Sequence, residues 1–369
     1  ATGGPPRAGV RADLGKGEEI RRDPPLVLRY RPTVPHRPLA PDREASEQAA
    51  VVCPRPPEEI EPRTAHEVGH GPERIAEALI NRLSQLTYPK ALLEIVLVLE
   101  ERDNITRTTL EKTDLPQWIS VIEVPDDNTI TTKPRALNYA LDFCTGSIIG
   151  VWDAEDAPEP DQIEKVVTRF QSAPENVACL QGILDYYNSK ANWISRCFTI
   201  EYATWWRMIL PGVARLGMVI PLGGTTLFFR RDILEKLNGW DAHNVTEDAD
   251  LGVRLARHGY VTELLPTVTF EEANCRAWPW VRQRSRWLKG FMMTYLVHMR
   301  APNQLLRDIG WWRFLGVQAF FLGTLGQFLL APVLWSFWLV ALGLPHPLEG
   351  ALPPGAVHVT AGALVVFEV

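Results

Sequence analysis

Between Phe314 and Leu344 the chain is almost wholly apolar, with Gln318 and Gln327 as its main polar interruptions. A helix needs roughly 20 apolar residues to cross the hydrocarbon core of a bilayer, and this run exceeds that length. It predicts one transmembrane helix, tilted or kinked at Pro332. Trp311, Trp312 and Arg313 stand at its entrance, where aromatic and basic side chains anchor a span at the interface. A second apolar run, Ala356 to Val369, is cut by the end of the sequence, so the chain reads as part of a longer, multi-pass membrane protein. The Lys/Arg-rich stretch from Arg276 to Arg313 implies that the domain preceding the span is cytoplasmic.

What precedes that span is long enough for a sizeable core. The net charge of -6 over 369 residues carries no nucleic-acid signature. The five cysteines are odd in number and scattered, as reduced thiols would be, and lack the paired spacing of a zinc site. No secretory signal opens the chain, whose first residues are rich in Gly, Pro and Arg. Residues 1–72 hold 13 of the 30 prolines and show no helix or strand period, which predicts a disordered or atypical extension. Within it, His66-Glu67-Val68-Gly69-His70 matches the H-E-x-x-H pattern of zinc proteases. That chemistry needs a helix to aim both imidazoles at one metal, and Gly69, Gly71 and Pro72 crowd the site.

Regular structure begins at Glu73. Ile75, Leu79, Ile80, Leu83 and Leu86 mark an amphipathic helix ended by Tyr88-Pro89. Ile95 to Leu99 reads as a strand buried on both faces, closing on Glu100-Glu101. The spacing then predicts a helix over 105–113, a strand over 119–124, a helix over 134–143 and a buried strand over 147–152. A helix over 160–172 and a strand over 177–182 follow. Strands alternating with helices predict an α/β domain over 73–300, a mostly parallel sheet with helices on both faces, followed by a membrane region over 301–369. Ligands of such sheets sit at the carboxyl ends of strands, where Glu100-Glu101 and Asp153-Ala154-Glu155-Asp156 both fall.

The chemistry gathers in three places. Asp153 and Glu155, one residue apart at a strand end, suit a hard divalent ion such as Mg²⁺ or Mn²⁺ shared with phosphate oxygens. Thr246-Glu247-Asp248 opens an apolar helical pattern; Thr246 reads as its N-cap, with the acids in the first turn where the helix dipole favours negative charge. Gln283, Arg286 and Trp287, at i, i+3 and i+4, share one face of a helix whose tryptophans and basic residues also suit a membrane surface. No glycine-rich phosphate loop of the Walker or dinucleotide type occurs, which speaks against an NTPase or a dehydrogenase.

Lys133-Pro134-Arg135-Ala136-Leu137-Asn138, Asp153 to Asp156, Thr246-Glu247-Asp248 and Gln283 to Trp287 occur in that order, with Gly239-Trp240-Asp241 before the third block. Together they resemble the K-x-x-A-L-N, D-x-D, T-E-D and Q-x-x-R-W blocks of membrane-bound family-2 glycosyltransferases, the cellulose synthases and related polysaccharide synthases. The resemblance runs from about residue 73 to 312. It implies a GT-A-type, Rossmann-like fold and inverting transfer from a nucleotide-diphospho-sugar, UDP-linked, to a growing β-linked glycan at the inner membrane. Transfer of one sugar to a lipid carrier is the enzymatic alternative. The resemblance further implies that Asp248 is the general base, set in place by Glu247 and Thr246, with Asp250 solvated. Asp153 and Glu155 would hold the divalent ion, while Glu100, Glu101, Lys133, Asn138, Asp153, Gln283, Arg286 and Trp287 would line the donor and acceptor. Membrane lipid and export or accessory subunits are implied partners.

Two blocks depart from the pattern. Val51-Val52-Cys53 followed by prolines is a poor match to the family's first strand, and Glu100-Glu101 stands where the family has an Asp pair. An incomplete donor pocket, and with it a non-catalytic scaffold, is therefore the rival reading, beside a zinc protease built on His66, Glu67 and His70.

Overall fold

The computed structural model describes residues 49–54, 79–127, 130–353 and 355–368. The H-E-x-x-H stretch at 66–70 lies outside them. Eight strands form one sheet: Ala49–Pro54 (β1), Leu93–Glu100 (β2), Ile119–Val124 (β3), Ile148–Val151 (β4), Ala157–Pro158 (β5), Val177–Tyr186 (β6), Leu227–Arg230 (β7) and Val261–Glu271 (β8). Their order across the sheet is β3-β2-β1-β4-β7-β6-β8-β5.

The sheet is mixed rather than mostly parallel. β1, β2, β3 and β4 run parallel, as do β6 and β8, but β7 enters antiparallel between β4 and β6, and β5 lies antiparallel on β8. A four-residue strand after the Gly223-Gly224-Thr225-Thr226 loop is too short to show a period, so β7 escapes pattern reading. A second correction concerns the first strand. Val51 pairs with Ile95 on one side and Gly150 on the other, so β1 fills the slot thought lost, inside the segment assigned to the extension. Its prolines follow the strand and interrupt no ladder within it until Pro54, its last residue.

Beside a 3-10 turn at Lys90–Leu92 and a π-helix at Trp205–Ile209, twelve α-helices are described. These are residues 79–84 (α1), Asn104–Glu111 (α2), Lys133–Leu141 (α3), Gln162–Ser172 (α4), Trp193–Thr204 (α5), Leu210–Arg215 (α6) and Arg231–Lys236 (α7). Glu247–Arg257 (α8), Ala277–His298 (α9), Pro302–Ser336 (α10), Trp338–Ala341 (α11) and Ala356–Glu368 (α12) complete them. Both sheet faces are covered, as the uninterrupted apolar runs predict. Ile95, Leu97 and Leu99 point to α1 and α4 with Leu83, Ile163 and Phe170, while Val96 and Val98 point to α3 and α8 with Leu137, Leu251 and Leu255. The period-2 alternation of side chains thus builds two cores from one strand.

A third core joins the domain to the C-terminal helices: Ala249, Val253 and Ala256 of α8 pack on Leu305, Ile309, Val317 and Phe321 of α10. α10 turns a corner at Gly310, whose φ of 77° and ψ of 162° are not helical. The expected entrance residues bind the domain directly, with Trp312 Nε1 donating to Leu216 O at 2.7 Å and Arg313 Nε to Gly217 O at 3.2 Å. Pro302–Ala341 is the one helical stretch among the described residues long and apolar enough to cross a membrane. The second apolar run forms a 13-residue helix, below spanning length, so several transmembrane helices are not seen.

Candidate active site

Lys133 opens α3 beside Pro134, whose missing N–H costs nothing in a first helical turn. Its ammonium is paired with Asp153 Oδ1 and donates to Gly224 O at 2.7 Å. Burial alone would lower its pKa, but the charges of Asp153 and Glu247 overrule that and raise it. Lys133 is therefore a fixed cation joining the strand-end turn to the loop before β7. Asn138, one turn on, donates to Trp240 O at 2.7 Å and accepts from Trp240 N at 2.9 Å. Its amide braces the Gly239-Trp240-Asp241 turn instead of facing the pocket.

The acidic turn after β4 is built from within. Asp156 is buried, and its Oδ2 accepts from Asp153 N at 2.8 Å and from the Thr225 hydroxyl. Burial, with the Asp153 charge next, pushes the Asp156 carboxyl up to about 7. Asp156 thus shapes the turn while Asp153 and Glu155 remain half-exposed on it. Arg82 Nη1 holds the turn from outside by donating to Glu155 O at 2.7 Å.

Asp248 lies in the first turn of α8, and its Oδ1 accepts from Ala249 N at 2.8 Å. A Cβ placed on Gly224 would lie 3.7 Å from Asp248 Oδ2 and 3.9 Å from Lys133 Nζ, so the base candidate and the cation meet at this glycine. Burial raises Asp248 to about 6, and burial with the adjacent Asp248 charge raises Glu247 to about 8. Three of the four sequence blocks therefore converge on one spot.

Two neighbours differ from expectation. Thr246 occupies the N-cap position without a side-chain cap bond; its hydroxyl lies 3.2 Å from Thr294 Oγ1 on α9. Asp250 is not solvated but 3% exposed, bonded to Arg254 Nε at 2.7 Å and His298 Nε2 at 2.9 Å. Burial would raise its carboxyl, but these partners outweigh burial and lower it.

The loop from Gly223 to Thr226 forms the floor. Buried Gln181 accepts from Gly223 N at 2.8 Å and donates to Thr225 O at 3.1 Å and Thr226 O at 3.3 Å. Thr226 is held at a φ of 56°, a left-handed conformation costly for a β-branched residue, and its buried hydroxyl has no partner. Strain of this kind persists only where the surroundings over-determine it, as Gln181 does here.

Glu100 and Glu101 differ in placement. Glu100 stands at the end of β2 with Arg135 Nη1 at 3.5 Å from Oε2, and its buried Oε1 has no partner. Burial raises its pKa against the pull of Arg135. Glu101 instead closes the β3 end, its Oε2 accepting from Asp126 N at 2.6 Å. On α9, Gln283 accepts from Asn274 Nδ2 at 2.8 Å, Arg286 is exposed, and Trp287 packs against Tyr186, Phe198 and Ala273. Gly290, one turn further, lets α9 lie against Thr246, whose Cγ2 would be 2.5 Å from an added Cβ.

Two residues escape sequence reading. Glu271 ends β8 opposite Asp156, one step beyond the Phe270–Ala157 pair, and its buried Oε1 has no partner. Burial, then the charges of Asp156, Asp153 and Glu155, raise its pKa. Its signal is an acid at a strand's carboxyl end, hidden because β8 contains Pro266 and no clean alternation. Arg284 pairs with Glu201 of α5, and its guanidinium lies 4.7 Å from the Phe198 ring centre, 5.2 Å from Trp280 and 5.1 Å from Trp287.

Among the described residues no three acids, histidines or cysteines already stand together as a cation cage. The donor set still fits a hard cation, because Mg²⁺ and Mn²⁺ are held by one or two carboxylates with substrate phosphate oxygens and water completing the shell. Asp153 and Glu155 would supply those carboxylates, and Lys133 engages only Oδ1 of Asp153.

Residues 148–347 match the family model described as "Glycosyl transferase family group 2". The probable glycosyltransferase YdaM of Bacillus subtilis (strain 168) is 27% identical over 223 residues, 60% of this chain and 53% of that protein. The beta-monoglucosyldiacylglycerol synthase of Trichormus variabilis is 28% identical over 230 residues, 61% of this chain and 47% of that protein. The chain thus spans about half the length of these curated relatives. Among solved structures, a mannosyltransferase from Pyrobaculum calidifontis in complex with GDP-Man and Mn²⁺ superposes with a TM-score of 0.51 at 19% identity, covering 89% of this chain and 90% of that one. That likeness shows the GT-A-like fold.

Proposed function

The chain belongs to glycosyl transferase family group 2, and from that premise we propose that it transfers a sugar with inversion from a UDP-linked donor to a growing β-linked glycan at the inner membrane. The observation that carries this reading is Asp248, a carboxylate at a helix start whose Oδ2 approaches Gly224 beside the Lys133–Asp153 pair. A base works best with a pKa near the operating pH, and burial brings Asp248 to about 6.

The chain's own residues divide the work. Asp248 accepts the proton of the acceptor hydroxyl as the new glycosidic bond forms and the bond to the nucleoside diphosphate breaks. Lys133 and the acidic turn receive the diphosphate, Lys133 offering a positive charge that burial keeps from being screened. Glu247, the acid next to the base, is itself pushed up to about 8 by burial and the Asp248 charge. Asp153 and Glu155 would hold a divalent cation, which when bound supplies charge neutralisation to the departing diphosphate. Gln283, Arg286 and Trp287 approach the acceptor from α9, Trp287 offering an apolar ring face to a sugar.

A lipid acceptor is the second reading. It is favoured by relatives named beta-monoglucosyldiacylglycerol synthase, and α9 exposes Trp278, Met292, Met293 and Leu296 for a lipid surface. Product length after incubation with labelled donor separates the two: a ladder supports polymer extension, a single glycolipid the second reading. Asp248→Asn tests the base itself and should lower kcat by about 10²–10⁴-fold, as loss of a positioned general base does. Sugar transfer at the wild-type rate would rule the assignment out.

A further inference from the structure

The helix whose first turn carries Asp248 is bolted to α9 through two polar rungs. In the first, Asn244 Nδ2 donates to Thr294 Oγ1 at 2.7 Å, Thr246 Oγ1 lies 3.2 Å from the same atom, and Gly290 lets the backbones close up. In the second, His298 Nε2 meets Asp250 Oδ1 at 2.9 Å. Gly290, Thr294 and His298 stand at i, i+4 and i+8 on α9, facing Thr246 and Asp250 at i and i+4 of α8.

Asp248 sits midway between the two rungs in sequence but about 200° round the helix from Asp250, so the bolted face is opposite the face that carries the base. The second rung has a defined proton arrangement. Arg257 Nη1 lies 3.3 Å from His298 Nδ1 and can only donate, so Nδ1 accepts and Nε2–H donates to Asp250. Arg257 in turn bonds Asp308 of α10 at 2.8 Å, and Arg254 ties Asp250 to Gly239 O at 2.8 Å. A cavity of about 290 Å³, lined by Trp240, Asp241, Asp250, Arg254, Arg257 and His298 among others, opens beside this rung. Close packing does not fill that side, so polar bonds fix the helix pair there.

We propose that His298 and Thr294 are positioning residues for sugar transfer: from α9 they fix the rotation and height of α8, and so the aim of Asp248. The inference rests on the reading of Asp248 as the base. Neither residue bonds to Lys133, Asp153 or Asp248, so the binding of donor should be spared while the chemical step suffers.

The test compares full-length wild type, His298→Leu, His298→Gln, Thr294→Val and Asp248→Asn in detergent, each normalised to its folded fraction. Misaiming a reacting group by about 1 Å can cost about 10²-fold. His298→Leu should therefore lose about 10- to 100-fold in kcat with donor KM within about twofold of wild type. His298→Gln, which retains an N–H donor toward Asp250, should recover most of that loss, and Thr294→Val should show the same kcat-only signature should His298→Leu fail to fold. A kcat per folded molecule equal to wild type in the soluble His298 and Thr294 variants would overturn the proposal, as would equal loss in the Leu and Gln variants of His298. An Asp248→Asn variant with full activity would instead remove the base reading on which the proposal rests.

Discussion

At the scale of single residues, Gln181 shows how one amide decides the shape of a pocket. Its side chain is fully buried and answers three backbone groups of the loop that ends in strained Thr226. Gln181→Leu would leave those groups unpaired, and each orphaned buried polar group costs about 1–3 kcal/mol. We expect the variant to lose about 2–4 kcal/mol of stability in chemical denaturation and to raise donor KM more than it lowers kcat, because the loop forms the floor on which Lys133 and Asp248 meet. The sequence could not point to Gln181, since nothing in a strand's pattern separates a clamp from a core glutamine. Nor could it show that Asp250, expected to be solvated, is buried. Helical period puts Asp248 and Asp250 on different faces, but which face meets water and which meets His298 depends on a helix 48 positions away. That Asp153, Lys133 and Asp248 come together was legible because their blocks occur in order; Asn138 and Thr246 belong to the same blocks, yet their polar atoms serve neighbouring backbone and α9.

Among elements, the clearest dependence is that of α9 on α5. Arg284 ties them, paired with Glu201 and lying over Phe198, Trp280 and Trp287. Glu201 is 49% exposed, so solvent screens the ion pair, which contributes no more than about 1 kcal/mol. The desolvated ring contacts add about 0.5–2 kcal/mol. Arg284→Gln should therefore destabilise more than Glu201→Gln in matched denaturation curves; equal losses would mean that the ion pair dominates. Element by element, the sequence reveals strands buried on both faces because Val, Ile and Leu run uninterrupted there. It conceals β1, which ends at Pro54, and β7, which is four residues long. Their places in the sheet are set by pairing with partners already in register, a long-range effect that local pattern does not carry.

For the whole molecule, the carboxyls that make the site also govern its stability. Asp156, Asp248 and Glu247 are raised by burial to about 7, 6 and 8. Raised carboxyls hold protons that the unfolded chain releases near pH 4, so their contribution is complete below about pH 4 and is lost as pH rises through 6 to 8. Asp250, lowered, acts oppositely and weakens the fold only at more acidic pH. The ligand-free protein should thus unfold at higher denaturant near about pH 5.5 than near about pH 8, and Mn²⁺ with UDP should flatten the difference. A midpoint that rises steadily toward pH 8 would contradict this. The conformation of Gly310 has a geometric consequence of its own. Its φ of 77° and ψ of 162° fall in a region open in practice to glycine alone. The stretch before it is fastened to the domain by Leu305, Ile309 and Asp308, and the stretch after it by Trp312, Arg313, Val317 and Phe321. If the helix after this corner crosses a bilayer as proposed, a residue without a side chain, braced on both flanks, would fix the pitch of the domain relative to the bilayer plane, and with it the height of Asp248 above the lipid.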